Sequence, residues 1–536
     1  MSRARWVDEL RAGAGFLGGL RPFIKETLGL SDAPRILDAQ LAARTQTFLL
    51  VLQRAIFEHA KNPYRRLFDW ARISYADVER MLAQDGLEAT LERLYAAGVS
   101  LTLEEFKGWR PLLRPGLELE IGAADFDNPL TARQYEARTG GSTSAPRRIL
   151  IDPALLAHEC AYHAGLYEAA GASERPLGIW QPAPPGAVGI KTALMQAKLG
   201  RPTARWFSQN QLRAGSFKHA AFTRTALYTA RLFGARIAMP EYTPAADAAR
   251  VAAWLAQQTA NGAPAIMVTP ASAGVRTCRA ALEKLLDISG TLFILGGEPY
   301  TDAKAAVIRE AGCRGYCHYA MVETGMIGLA CLAGETSDDV HLVSDKIATI
   351  QRDKKVGPAG TLVRALIHTT LLPTSPKVML NVESGDYATL VKRDCGCGAL
   401  PRGFDQHLHT IRSYEKLTSE GMNFLGGDLL TLVEQVLPAR FGGRPTDYQF
   451  VERERDGLPR VSLVVHPAVG QLDGDQVVRA VLEFLRSRGI GEEMMANVWA
   501  QSRTLEVVRQ APIVTSGGKI LPLQIVATPQ TPTRAD

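Results

Sequence analysis

The sequence predicts an α/β protein with a helical N-terminal preface and a small α+β domain at its C-terminal end. Three changes of texture predict it. Over residues 1–125 apolar side chains recur at helical spacing, from Asp38 to Ala60 and again from Tyr75 to Ala97. From about Glu174 short apolar runs alternate with helix-like segments, the signature of strands wound with helices. Past Arg412 the pattern changes once more, to paired strands, an amphipathic helix and a further strand. With 536 residues, the chain exceeds what one hydrophobic core organises. The expected division is residues 1–125, 126–413 and 414–536.

Each element has a local reason. Leu177 to Trp180, Ala265 to Val268 and Leu292 to Leu295 are the apolar runs of buried strands, and Ala220 to Phe233 reads as a helix between them. Ala154 to Ala170 reads as a helix too. In the tail, Tyr448 to Glu452 and Val461 to Val465 read as strands about an Asp456-Gly457 turn. Val477, Val478, Val481, Leu482 and Leu485 then line one side of a helix that stops near Gly489, and Leu505 to Val508 reads as a strand.

Composition narrows the function. The content of 46% hydrophobic and 22% charged residues is that of a globular enzyme and excludes a disordered chain. The net charge of +6 is a small difference between 61 basic and 55 acidic residues, with no basic tract, so nucleic acid is not an expected partner. No run reaches membrane-spanning length, and Gly13 to Leu20 is too short and glycine-rich for a signal peptide. Seven cysteines without a disulfide-framework spacing complete the expectation of a reducing, cytoplasmic setting with no membrane contact.

The segment Thr139-Gly140-Gly141-Ser142-Thr143-Ser144-Ala145-Pro146-Arg147-Arg148 combines glycines, hydroxyls and cations. Such a loop suits phosphate: the backbone approaches closely, hydroxyls donate and guanidinium groups neutralise. It lacks the G-x-x-x-x-G-K-[ST] spacing of a P-loop. Downstream, in order, stand Gly296-Gly297-Glu298-Pro299, Tyr319-Ala320-Met321-Val322-Glu323, Glu383-Ser384-Gly385-Asp386, Arg412 and Ser516-Gly517-Gly518-Lys519-Ile520. Separately, Glu323 reads as a helix-start acid, Asp386 as a turn residue and Lys519 as a loop lysine. Their order favours a shared site.

From about residue 130 onward this series resembles the acyl-adenylate-forming superfamily, which includes acyl-CoA synthetases, luciferase and peptide-synthetase adenylation domains. Asn381 to Arg412, above all Asp394-Cys395-Gly396-Cys397-Gly398-Ala399-Leu400-Pro401-Arg402, is most similar to the phenylacetate-CoA ligase group. The resemblance implies a large α/β adenylate-forming domain with a mobile C-terminal domain. It also implies activation of a carboxylic acid by Mg-ATP and transfer to a thiol. Coenzyme A is the expected acceptor; a carrier-protein phosphopantetheine arm or an amine is the alternative. An aromatic acid is mildly preferred, the pocket falling near Trp180 to Lys191 and Ala271 to Val275.

The same resemblance implies roles. Thr139, Gly140, Gly141, Ser142, Thr143, Ser144 and Arg147 would hold phosphate, with Gly297, Glu298 and Pro299 near the nucleotide. Tyr319 would face adenine, Asp386 the ribose hydroxyls, and Arg412 ribose or phosphate oxygens. Glu323 would ligate Mg²⁺, a hard ion that prefers carboxylate oxygens. Lys519 would bring a cation to the reacting carboxylate, and Tyr414 to Lys416 would form the hinge. Two departures stand out: Ser144 and Arg147 replace a glycine and a lysine of the family loop, and Val322 replaces a hydroxyl residue. A nucleotide-binding protein without turnover therefore stays an alternative.

Cys331, His341, Cys395 and Cys397 follow the cysteine, histidine and C-x-C order of phenylacetate-CoA-ligase relatives, which implies a closed structural zinc site. The alternative is reduced, partly buried thiols. Cys313, Cys317 and His318 form a competing set that equally suits packing around a strand. The alternation His407, Leu408, His409 suits an exposed strand or loop, so no role follows for those histidines. Cys160 with His158 and His163 sits in a helical run, against a cysteine hydrolase. Whether the chain pairs into a homodimer is left open by the sequence.

Overall fold

The computed structural model describes residues 17–131, 135–138, 148–183, 187–210, 217–356, 361–414, 417–419, 422–424, 429, 431–488, 490–513, 520 and 522–525. The helical preface ends in a hairpin of β1 (Leu112–Arg114) and β2 (Leu117–Leu119), which its periodicity did not announce. β3 (Tyr135–Arg138) then pairs with β4 (Arg148–Ile151). Six parallel strands follow: β5 (Leu177–Trp180), β6 (Thr203–Ser208), β7 (Pro240–Tyr242), β8 (Ile266–Pro270), β9 (Leu292–Gly296) and β10 (Arg314–Cys317). Their order is β10-β9-β8-β5-β6-β7.

A second, antiparallel sheet contains β11 (Tyr319–Met321), β12 (Gly325–Ala330), β13 (Val340–Leu342), β14 (Ile347–Val356), β15 (Thr361–Thr370), β16 (Val382–Lys392) and β17 (Gln406–Ser413). Its order is β11-β12-β13-β17-β16-β15-β14. After the short hairpin β18 (Leu417–Ser419) and β19 (Met422–Phe424), the tail builds a sheet of β20 (Tyr448–Arg455), β21 (Leu458–Val465), β22 (Leu505–Arg509) and β23 (Leu523–Ile525), ordered β22-β21-β20-β23. The α/β class and the small α+β C-terminal unit expected from the sequence are both present.

Local chemistry accounts for the breaks. The helical run expected from Asp38 splits into Ala33–Ala42 and Arg44–Val51, and the run from Tyr75 breaks at Gly86 into Tyr75–Asp85 and Leu87–Ala96. Ser74 and Asp77 cap the third of these helices reciprocally, satisfying two orphan amides. In the tail, Asp456 (φ 54°) and Gly457 (φ 69°) both adopt the left-handed conformation that a tight hairpin with matching twist requires.

The preface does not pack by itself. Phe48, Leu52, Phe68 and Leu91 share one core with Ile350 of β14, Ile367 of β15 and Val382 of β16. Asn381 ties the seam by donating to the carbonyls of Leu91 (2.9 Å) and Val99 (3.2 Å). A second core fills the parallel sheet, whose β5 is buried on both faces, and a third lies in the tail around Phe450, Leu463, Leu485 and Trp499. Among the described residues no helix is long and apolar enough to cross a membrane.

Topology positions the site. Between β5 and β8 the strand order reverses direction, and in open α/β sheets ligands bind at the carboxyl ends flanking such a switch. There β5 ends at Trp180, β8 runs into the helix Ala271–Glu283, β9 ends at Gly296, and β10 leads through His318 into Tyr319.

Candidate functional site

Tyr319 opens β11 where the two large sheets meet, and its hydroxyl donates to Asp386 Oδ2 at 2.8 Å. β11 and β16 are not neighbours in the sheet, so it curls far enough for one side chain to bridge them. His368 Nε2 lies 3.4 Å from the same hydroxyl, and Thr349 meets its Nδ1 at 2.9 Å. Burial, followed by the nearby Asp386 carboxylate, pushes the Tyr319 hydroxyl well above the usual tyrosine range. Asp386 is a buried strand residue, not a turn residue. Gly385 before it takes φ 78°, and Ser384 Oγ accepts the Asp386 amide at 3.1 Å.

Glu323 lies in the turn between β11 and β12, not at a helix start. Its carboxylate pairs with Lys107, at the end of the preface helix Leu103–Lys107, 216 residues away in sequence. Just after the turn, Gly325 (φ 78°) has no room for a side chain, because a Cβ there would collide with Glu159 Oε1. Glu159 also accepts the Met326 amide at 2.9 Å and pairs with buried Lys346. Beneath Tyr319, His318 faces His163 with ring centroids 5.3 Å apart. Burial lowers His163 to about 4 and drives His318 below its ordinary range as well.

Arg412 on β17 stands opposite Tyr387, while Asp386 stands opposite Ser413; in a regular ladder this places Arg412 and Asp386 on opposite faces. Arg412 Nη1 donates to Asp338 Oδ2 at 2.7 Å, and Asp338 also accepts the amides of Thr410 (2.9 Å) and Ile411 (3.0 Å). This carboxylate holds Thr410 in a left-handed conformation (φ 56°) that a β-branched residue rarely adopts. Next to it, the hydroxyl of Tyr414, the first residue of the expected hinge, donates to Glu383 at 2.5 Å.

The Glu298 side chain is engaged within the protein. Oε1 accepts both the amide (2.7 Å) and hydroxyl (2.6 Å) of Ser272 at the start of the helix Ala271–Glu283, and Oε2 faces Lys304 at 3.4 Å. A fully buried carboxylate so engaged holds a helix N-terminus. Lys304 continues to the tail: it lies 3.6 Å from Glu454, which also accepts from Thr301 at 2.5 Å, while Arg279 donates to the Asp456 carbonyl. Thr139, Gly140, Gly141, Ser142, Thr143, Ser144, Arg147 and Lys519 lie outside the described residues, as do Glu415 and Lys416.

At the other end of β12, β13 and β17 the expected zinc donors converge. His341 Nε2 lies 3.1 Å from Cys397 Sγ and 3.5 Å from Cys395 Sγ, while its Nδ1 meets the Phe404 carbonyl at 3.1 Å. Hydrogen bonds from Cys331, then His341, hold the Cys397 thiol far below the ordinary cysteine value. The structure adds His407, which the sequence reading had put on an exposed segment: it is fully buried, and one donor atom each from Cys331, His341, Cys395 and His407 lie within 4.8 Å of one another. Two thiols and two imidazoles suit a tetrahedral zinc-class ion. Cys313 instead packs against the carbonyls of Ile288 (3.2 Å) and Ala311 (3.3 Å). Cys160 is buried with its thiol pushed up by desolvation, unsuited to nucleophilic work.

No protein-family model matches the sequence, and no curated protein matches it. Solved structures do. A 2-hydroxyisobutyryl-CoA ligase, bound to 2-HIB-AMP and CoA in its thioesterification state, superposes over 93% of this chain and 91% of its own, with a TM-score of 0.51 at 17% identity. The chain has that ligase's fold. The same ligase in a postadenylation state with 2-HIB-AMP matches over 94% and 91% with a TM-score of 0.42 at 18% identity. An o-succinylbenzoate CoA synthetase from Bacillus subtilis matches over 74% and 69%, with a TM-score of 0.38 at 13% identity.

Proposed function

We propose that this protein is an ATP-dependent acid–thiol ligase of the acyl-adenylate-forming superfamily, related to the phenylacetate-CoA ligase group. One observation carries the reading. The Tyr319–Asp386 pair sits where the carboxyl ends of the parallel sheet meet the curled sheet, in a fold shared with a ligase solved with an acyl-AMP and CoA. In the first half-reaction a carboxylate oxygen of the acid bonds to the α-phosphorus of ATP as the bond to pyrophosphate breaks. In the second, the thiol sulfur of coenzyme A bonds to the acyl carbon, AMP departs, and the thiol proton is lost to solvent.

The chain's residues divide this work. Tyr319 offers a ring face to adenine, and Asp386 exchanges its tyrosine hydrogen bond for the ribose hydroxyls. The loop Thr139–Arg147 wraps the departing pyrophosphate, and Arg412, set by Asp338, meets ribose or phosphate oxygen. Glu323 is the carboxylate for Mg²⁺; a single such group fits an ion that keeps much of its water and takes further ligands from phosphate. Bound there, the ion neutralises phosphate charge. Lys107 stands beside Glu323 as a second cation in that corner. Lys519 brings charge to the reacting carboxylate and α-phosphate from a C-terminal domain spanning 414–536, which turns about Tyr414–Lys416 between half-reactions.

The test is acid-dependent pyrophosphate release from Mg-ATP across aryl and fatty acids, followed by thioester detection with coenzyme A. Release with one acid class and a CoA thioester supports the reading. Release without a thioester redirects the acceptor to a carrier protein or an amine. ATP binding with no release for any acid, in line with Ser144 and Val322, overturns it in favour of a nucleotide-binding protein.

A further inference from the structure

His407 is the residue for which neither the sequence reading nor the ligase reading has a use. It lies on β17, fully buried, with its ring centroid 4.2 Å from that of His341. Nδ1 is 2.9 Å from Asp339 Oδ1, a carboxylate almost wholly withdrawn from solvent. Nε2 is buried and makes no hydrogen bond among the described residues. An orphan imidazole nitrogen inside a sheet is uncommon, since a buried polar atom without a partner is destabilising. A metal-ligating histidine is the usual case in which one nitrogen meets a carboxylate and the other carries a lone pair for an ion.

We propose that the metal centre is a two-sulfur, two-nitrogen site formed by Cys331, His341, Cys395 and His407, with Asp339 holding His407 and Cys397 left as a spare thiol. The donor atoms already cluster within 4.8 Å, and a tetrahedral zinc-class ion with bonds of about 2.0–2.3 Å draws such a set slightly inward. Both imidazoles are buttressed, His341 by the Phe404 carbonyl and His407 by Asp339. Cys397 meets His341 Nε2 at 3.1 Å, but among the described residues it is not one of the four donors that all lie within 4.8 Å of one another; it stands on the turn between Gly396 (φ 62°) and Gly398 (φ 73°). Binding releases the two thiol protons, and two thiolates with two neutral imidazoles leave the divalent centre uncharged.

The centre reaches beyond its own corner. Asp339 holds His407 and pairs with Arg393, and the preceding residue, Asp338, holds Arg412 and the amides of the left-handed Thr410 bend. An ion fixing β13 to β17 therefore fixes the two-aspartate segment that sets Arg412.

X-ray absorption at the zinc edge on the full-length protein tests the ligand set without any mutation and reads the same whether or not the protein turns over ATP. One equivalent of zinc with two sulfur and two nitrogen neighbours is the expected result; three sulfurs with one nitrogen, or no stoichiometric metal, overturns the proposal. Variants sharpen it. Cys397→Ser keeps the full equivalent and the cobalt-substituted absorption spectrum unchanged, whereas Asp339→Asn weakens the metal about 10–100-fold in competition with a chromophoric chelator. Metal loss in Cys397→Ser overturns the assignment, as does unaltered affinity in Asp339→Asn.

Discussion

At one corner of the seven-stranded sheet three thiols and two imidazoles converge, and His407 Nε2 lacks a hydrogen-bond partner among the described residues. At the other, three of the charged groups singled out for the nucleotide and lying among the described residues already have a protein partner: Asp386 has Tyr319, Glu323 has Lys107, Arg412 has Asp338. The same strands β12 and β17 contribute to both corners. The first is a donor set arranged for an ion and held by outer partners. The second is compensated internally, so a nucleotide must exchange its own groups for existing bonds. That difference favours tight, static binding at the metal corner and reversible binding at the nucleotide corner.

The largest expected effect tests whether the compensated corner is a reaction centre at all. Lys519→Ala should lower acid-dependent pyrophosphate release about 10²–10³-fold, the range for losing one preorganised electrostatic group. Its effect on thioester formation from preformed acyl-AMP should be much smaller if, as proposed, the hinge turns that lysine away for the second half-reaction. Equal losses in both half-reactions would break the proposed division of labour.

At the metal corner, chelation should act on stability before activity. For an ion present at a thousand times its dissociation constant, removal withdraws about 4 kcal/mol from the folded state. A fall of several degrees in Tm on chelator treatment, reversed by zinc, is the expected reading. No change in Tm would return Cys331, Cys395 and Cys397 to the status of packed thiols.

Acid should strike the nucleotide corner through the histidines beneath Tyr319. The folded value of His163, about 4, is below that of the unfolded chain, so the unfolded state takes up the proton first as pH falls. The contribution is complete above about pH 6.5 and declines toward pH 4, with about 2 kcal/mol of it lost by pH 5. His163→Gln should flatten that limb of the Tm profile. An unaltered slope would assign the acid sensitivity to other groups.

How far the two corners could be read in advance follows from the same chemistry. Cysteines are rare, so Cys331, Cys395 and Cys397 stood out in the sequence. The apolar strands β5, β8 and β9 were equally legible, because burial on both faces leaves an unbroken apolar run. His407 was not: its alternation with His409 is that of a half-exposed strand, and only the fold brings Asp339, His341 and Arg393 around it. Lys107 and Lys304 were hidden for another reason. Their partners Glu323 and Glu454 lie far along the chain, and a lysine at the end of a helix or on its first turn looks solvated until the fold supplies the acid. Glu298 was read by its motif, which gave no sign that its carboxylate would hold the start of the helix Ala271–Glu283.

The smallest expected effect bears most directly on internal compensation. The Lys107–Glu323 pair is about four-fifths withdrawn from solvent on both sides, so Lys107→Met removes a cation and leaves a carboxylate short of one partner. Stability should fall by about 1 kcal/mol, the ordinary scale for a hydrogen-bonded group losing its neighbour. Magnesium dependence carries the sharper information. If Glu323 exchanges Lys107 for the ion, the variant should saturate at a severalfold lower magnesium concentration with little change in maximal rate. If Lys107 instead supplies phosphate charge alongside the ion, the KM for ATP should rise while the magnesium midpoint stays put. A variant unchanged in both midpoints would remove Lys107 from the site and leave the pair as a clasp between the preface and the turn after β11.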